Sequence, residues 1–201
     1  MTQASNTFNS LILPRKEISP EAENVHHITM SMLQESKTSV FQSVARTFLE
    51  WLDVWRTRFS IITKDEAHEN KVVMLVAHNG NRFDFLLLRR QLCDAKIDCP
   101  SWLHVADSLP SFRYLSPYPE GSVKFNLKAL SDRFVYANCD KQNKKQQQSA
   151  SVVATEQEHR AMADVHMLMS VAKCHTNPET LMYELFKASK PLATNQKAIL
   201  S

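Results

Sequence analysis

The stretch "VVMLVAHNGNRFDFLLLRRQL", Val72 to Leu92, decides how the chain is read. The unbroken apolar run from Val72 to Ala77 has the length of a strand and suits one buried on both faces. It stops at His78-Asn79-Gly80, a polar cluster in which Gly80 permits a sharp turn or the close approach of a ligand. Apolar residues then resume at helical spacing and predict a helix over Phe83–Ala95, with Asp84 at its start. In a sheet flanked by helices, sites form just beyond the carboxyl ends of the strands, and these polar residues stand at such an end. Asp84 equally suits a helix start for its own sake, because a carboxylate there offsets the helix dipole.

Working outward, "TFNSLILP" reads as a short strand stopped by Pro14. "RKEISPEAENVHHIT" is expected to be a loop with one helical turn. From Val40 to Trp55 the apolar residues Phe41, Val44, Ala45, Phe48, Leu49, Leu52 and Trp55 recur at threes and fours, which predicts an amphipathic helix. "SWLHVADSL" is a third strand candidate, followed by an irregular segment holding Pro110, Pro117, Pro119 and Gly121. "FNLKALSDRFV" reads as a short helix. Residues 138–155, polar and low in complexity, are expected to form a mobile surface loop. Ala161, Met162, Val165, Leu168, Met169 and Ala172 mark another amphipathic helix, and Asn177-Pro178 is a cap and first position for a last one. Strands alternating with helices give an α/β layer fold, a single domain over residues 1–190 with a tail at 191–201.

Composition narrows the function classes. Of 201 residues, 43% are hydrophobic and 22% charged, ordinary for a globular chain with a core of its own. A net charge of +3 permits a polyanionic partner without requiring one. The four cysteines form no Cys-x-x-Cys pair, and the first residues carry neither a secretory h-region nor an arginine-rich transit peptide. Both features favour free thiols in an intracellular, reducing setting. A zinc site using Cys93, Cys99 and a histidine is open, although the spacing fits no known pattern. No apolar run approaches the roughly 20 residues that span a bilayer. Only two glycines occur, Gly80 and Gly121, so positions requiring positive φ are scarce or a glycine-bearing part of the domain is missing.

A second segment raises the interest of the first. "EHRAMADVHMLMSV" places His159 five residues before Asp164, on or just ahead of an amphipathic helix. A carboxylate among core-facing residues must be paired, hydrogen-bonded or metal-bound. Two carboxylates and an imidazole are the parts of metal-assisted hydrolysis. Thr155 and Glu158 form a Thr-x-x-Glu capping box. If the helix began there, His159 and Asp164 would be rotated about 140° apart, so a catalytic role requires it to start after His159 or to displace His159 at its first turn.

"LVAHNGNRFD" and "HRAMAD" resemble the second and third motifs of the DEDDh 3′–5′ exonucleases, above all the three-prime repair exonucleases and their plant organelle relatives. The resemblance extends in order from about Phe8 to Ala172. "FNSLILPRKEISPEAENVHHIT" is similar to the family's strand, proline and His-Gly-Ile-Thr segment, with His27 where glycine is usual. "HVADSLPSFR" resembles its Asp-Ser/Thr-Leu strand, and "FNLKALSDRF" its Leu-x-x-Leu helix. What this implies is a ribonuclease-H-like fold and hydrolysis of terminal phosphodiester bonds with two magnesium or manganese ions. Asp84 and Asp164 would be metal carboxylates and His159 the general base. Val25 and His26 would pack on the terminal nucleotide, and Asn79 would contact substrate. The implied partner is a nucleic acid with a 3′ end, DNA rather than RNA, with no membrane; a homodimer is open, since relatives often dimerise.

The first motif of that family, Asp-x-Glu-Thr on the central strand, has no counterpart here. Seven residues precede Phe8, none of them acidic, so the expectation is a fold truncated at its N-terminus, with its first two strands missing. "TFNSLILP" and "VVMLVAH" would then pair directly or leave an open edge. Asp65, Glu66 and Asp107 are the nearest candidate replacements for the lost carboxylates and have no supporting motif. Three readings follow: an exonuclease whose first motif lies outside this sequence, a non-catalytic module binding nucleic acid or protein, and a fold completed by strands of another chain.

Overall fold

The computed structural model describes residues 7–63, 71–119, 121–136 and 161–192, with side chains left aside over 59–63. The expected loop at 138–155, the capping pair Thr155 and Glu158, His159, Cys139, Asp65, Glu66 and all but the first two residues of the expected tail lie outside them. The chain is mixed α/β, and its described residues divide into two compact units. One lies within Met1–Leu75, Phe85–Val105 and Lys190–Ser201, the other within Val76–Asp84 and Ala106–Ser189.

In the first unit the N-terminal segment is built by capping. Ser19 accepts a hydrogen bond from the Ala22 N–H, and Pro20 opens α1, Pro20–His26, with Glu21 and Glu23 in its first turn. The helix ends at His27, whose φ of 57° is left-handed and whose N–H donates to the Glu23 carbonyl. Thr29 then caps α2, Met30–Glu35, through the Met32 N–H. Neither helix has apolar periodicity long enough to read in sequence. The predicted amphipathic helix is α3, Phe41–Thr63, longer than expected; it buries Ala45 and Leu52. Phe8 packs its ring, tilted, against Phe48 and Trp51 of this helix, with centroids 5.2 and 5.8 Å away.

That anchoring replaces the strand expected over "TFNSLILP". Only Leu13 makes a bridge, parallel to Val40, while Leu11 and Ile12 are exposed. An extended segment with no neighbouring strand to complete its ladder is held by the Phe8 side chain and by one backbone hydrogen bond, from the Leu13 N–H to the Ser39 carbonyl.

The strands are β1, Val73–Ala77, β2, Leu103–Asp107, and β3, Lys190–Pro191, in the order β1-β2-β3. β2 and β3 run antiparallel, with His104 opposite Pro191 and Val105 opposite Lys190. Burial follows this order. Four of the five residues of central β2 are buried, whereas every residue of β1 is half-buried. β1 was expected to be covered on both faces; among the described residues it is an edge, with a strand on one side only. α4, Asp84–Asp94, follows it and buries Phe85 and Leu92. The Gln42 amide ties α3 to the end of α4 by donating to the Ala95 carbonyl at 3.2 Å.

The second unit is helical. The segment expected to be irregular after β2 is α5, Ser108–Tyr114, with Pro110 in its first turn, where no intrahelical N–H is lost. Asn126 caps α6, Leu127–Ser131, through the Ala129 N–H, and a π-helical turn, Asp132–Tyr136, continues it. α7, Ala161–Cys174, packs on both, and α8, Pro178–Ala188, packs on α5 and α7. α8 begins at Pro178 as the sequence predicts, but the Asn177 side chain does not cap it; the Asn177 N–H donates to Nδ1 of His175. The core holds Ala106, Phe112, Leu130, Val171, Leu181 and Leu185. His175 is buried with them, its ring clustered with those of Phe112 and Phe134 at centroid distances of 5.8 and 4.8 Å. Among the described residues no helix is long and apolar enough to cross a membrane.

Candidate functional site

The turn that ends β1 lies in the second unit and is organised around one carboxylate. Asn79 takes the left-handed conformation, φ 62°, which asparagine tolerates better than most residues. This bends the chain so that the N–H groups of Asn79 and Asn81 converge on Asp107, at 2.8 Å to Oδ1 and 3.1 Å to Oδ2. Oδ1 also accepts from the Leu109 N–H at 3.0 Å, which makes Asp107 the N-cap of α5. One buried side chain therefore closes the β1 turn and starts the helix after β2. Its three donors give Asp107 an architectural role that the sequence reading did not assign to it.

His78 is fixed from both sides. Its Nε2 lies 2.7 Å from the Phe125 carbonyl and its Nδ1 3.0 Å from the Ser108 hydroxyl. A carbonyl only accepts, so Nε2 carries the proton; in the neutral ring Nδ1 then accepts from Ser108. Burial lowers the pKa of the ring below its ordinary value, and Arg113 pushes the same way, against the Phe125 carbonyl and Asp107. The ring is thereby held neutral, as a link between the β1 turn, α5 and the segment before α6.

The carboxylates of interest are placed differently. Asp84 is the first residue of α4 and Asp164 lies in the first turn of α7; both are exposed and both belong to the second unit. Neither makes a hydrogen bond or ion pair among the described residues. The expectation that Asp164 is enclosed among core-facing residues is corrected: in the first turn of α7 it faces solvent. Asn79, half-buried, also belongs to this unit. Val25, exposed, and His26, whose Nδ1 accepts from the Ile28 N–H at 3.0 Å, belong to the other unit.

Among the described residues no three His, Cys, Asp or Glu side chains come together as a metal site. The zinc alternative finds no such group either. Burial pushes the Cys99 thiol up to about 11, with Arg89 acting in the opposite sense, which keeps it a protonated thiol.

Sequence reasoning missed the structural use of Asp107 and Ser108. The signal was present: Asp107 precedes "SLP", an N-cap residue followed by a proline admissible only in a first helical turn. It was masked by the prolines, which read as breakers.

No protein-family model matches the chain, and no curated protein matches it.

Proposed function

We propose that the chain is a domain of the DEDDh 3′–5′ exonuclease type, binding nucleic acid at a 3′ end, with a ribonuclease-H-like arrangement. The observation that carries this reading is the state of Asp84 and Asp164. Both motif carboxylates are exposed and make no hydrogen bond or ion pair among the described residues of one compact unit, while Asp107 accepts three backbone N–H donors. A second support is His27. It stands where the resembled motif has glycine, and its φ of 57° is a conformation that glycine adopts without strain.

Two carboxylates suit a single magnesium or manganese ion completed by water and phosphate oxygens. When bound, such an ion would neutralise phosphate charge at the strand end. The chain's own residues then have defined tasks. Within the second unit, Asp84 and Asp164 hold the cation and Asn79 offers its amide to substrate; for Val25 and His26, packing on a terminal base is a role assigned by resemblance alone. His159 is assigned the general base by resemblance alone. DNA is the preferred polymer.

The test is binding of a fluorescent single strand with a free 3′ end, with and without magnesium. Magnesium should strengthen binding to the wild-type chain and not to Asp84→Asn or Asp164→Asn, with little or no release of 3′ nucleotides. Affinity indifferent to magnesium in all three proteins would remove the metal assignment. Robust release of nucleotides, abolished by Asp84→Ala, would instead show a complete nuclease centre.

A protein-interaction role is favoured by a separate observation: Leu86 and Leu87 are about half exposed on α4, and adjacent exposed leucines suit a partner surface. Self-association, the homodimer, is checked by sedimentation of the wild type against Leu86→Ser/Leu87→Ser.

A further inference from the structure

Within the second unit an open pocket of about 690 Å³ is bordered by Arg113, Tyr114, Tyr118, Lys124, Phe125 and Asn126. We propose that this pocket is a second nucleic-acid contact, which takes single-stranded nucleic acid by stacking a base on Tyr114 and holding the adjoining phosphates with Arg113 and Lys124. The proposal rests on the nucleic-acid role given above but uses none of the residues assigned there.

Three features point to this ligand. Tyr114 is 75% exposed and Tyr118 50%. Large aromatic rings left in water contribute little to the core, whereas base stacking on such rings is the common device of single-strand binding. The cations around them are unneutralised: neither Arg113 nor Lys124 has a carboxylate partner among the described residues, and no described lining residue is acidic. Finally, Arg133 is already committed to the wall. Its guanidinium lies 5.3 Å from the Tyr118 ring centroid and 5.5 Å from that of Phe125, and it donates to the Lys124 carbonyl at 3.3 Å. Such a cation–π arrangement orients Tyr118 and adds positive charge beside the pocket. Planar stacking surfaces next to free cations match a polymer of alternating bases and phosphates. An acidic peptide would use the cations and leave Tyr114 idle.

The experiment uses the full chain, fluorescein-labelled oligothymidylate with a free 3′ end, and a circular single strand that has no end. Tyr114→Ala should weaken binding of both by about tenfold, within the range for loss of one base–aromatic stack. Arg113→Ala/Lys124→Ala should lower the log–log salt slope by about 1.4, two phosphate contacts at roughly 0.7 each. All three side chains are exposed, so the variants should keep the wild-type unfolding midpoint, and this is measured alongside. Circular-strand binding that is lost in these variants supports the pocket even if the 3′-end reading fails. Wild-type binding confined to free 3′ ends and unchanged by Tyr114→Ala overturns the pocket while leaving the 3′-end reading intact. Polyglutamate that displaces the strand as well as unlabelled oligothymidylate does would also overturn it, by showing that charge alone is recognised.

Discussion

The ends of β1 and β2 each lead into a helix that begins near an aspartate, and the two aspartates are used in opposite ways. At the end of β2, Asp107 is 8% exposed and receives three backbone N–H groups. Beyond the end of β1, Asp84 opens α4 in solvent with no partner among the described residues, and Asp164 at the start of α7 is in the same state. Helix-start position alone therefore does not distinguish an architectural carboxylate from one open to a ligand. The distinction lies in whether a second segment aims its donors at the side chain. The β1 turn does so for Asp107, because the left-handed Asn79 turns two N–H groups toward it.

This contrast is broken most directly at Asp107. Replacement by alanine leaves three part-buried N–H groups without their charged acceptor and should cost about 2–3 kcal/mol, read from urea unfolding at constant m-value. A cost below about 1 kcal/mol would mean that the turn holds without its clamp.

His78 is next. Its removal as His78→Ala strands the Phe125 carbonyl and the Ser108 hydroxyl and should cost about 2 kcal/mol. Its pKa also gives a sign. The folded ring, kept neutral mainly by burial, has a lowered pKa, so in acid the unfolded chain binds a proton that the folded chain resists. This contribution to stability is complete above the ordinary histidine value of about 6.5. It is lost as pH falls below that value toward the lowered folded one. Stability measured from pH 8 downward should decline in that window, and His78→Gln should flatten the decline; an unchanged slope would show that another group governs it.

The smallest stability effects belong to Asp84→Asn and Asp164→Asn. Each should stay within about 0.5 kcal/mol of wild type, the loss being a favourable charge near a helix start. A loss of about 2 kcal/mol or more at either would class it with Asp107 as architecture, whatever its effect on magnesium-dependent binding.

Much of the fold was legible wherever a periodicity ran long enough. The strand at 73–77, the helices at 84–94 and 161–174, and the start of the last helix at Pro178 follow from apolar spacing and end signals. What failed has physical causes. "TFNSLILP" has strand composition, but a strand requires a neighbour, and Phe8 found Trp51 and Phe48 instead. α5 was hidden because Pro110 and the prolines that follow the helix read as breakers, although Pro110 sits where a helix tolerates it. The two-residue β3 has no pattern of its own and exists through its pairing with β2. At the candidate site, sequence located the residues, since motif spacing is a property of the chain. Their availability was not legible: hydrogen-bond partners such as Asp107 for Asn79 come from positions 28 residues apart.

By itself, then, the sequence determined the α/β class, the principal helices, and the placing of Asp84 at a helix start, because these depend on neighbours three or four residues away. Tertiary structure alone decided which carboxylate is spent and which is free, that β1 is a half-buried edge, and that Tyr114 and Tyr118 border an open pocket with Arg113 and Lys124. Those outcomes depend on which distant backbone donors, strands and side chains arrive at the same place, and no local pattern encodes that meeting.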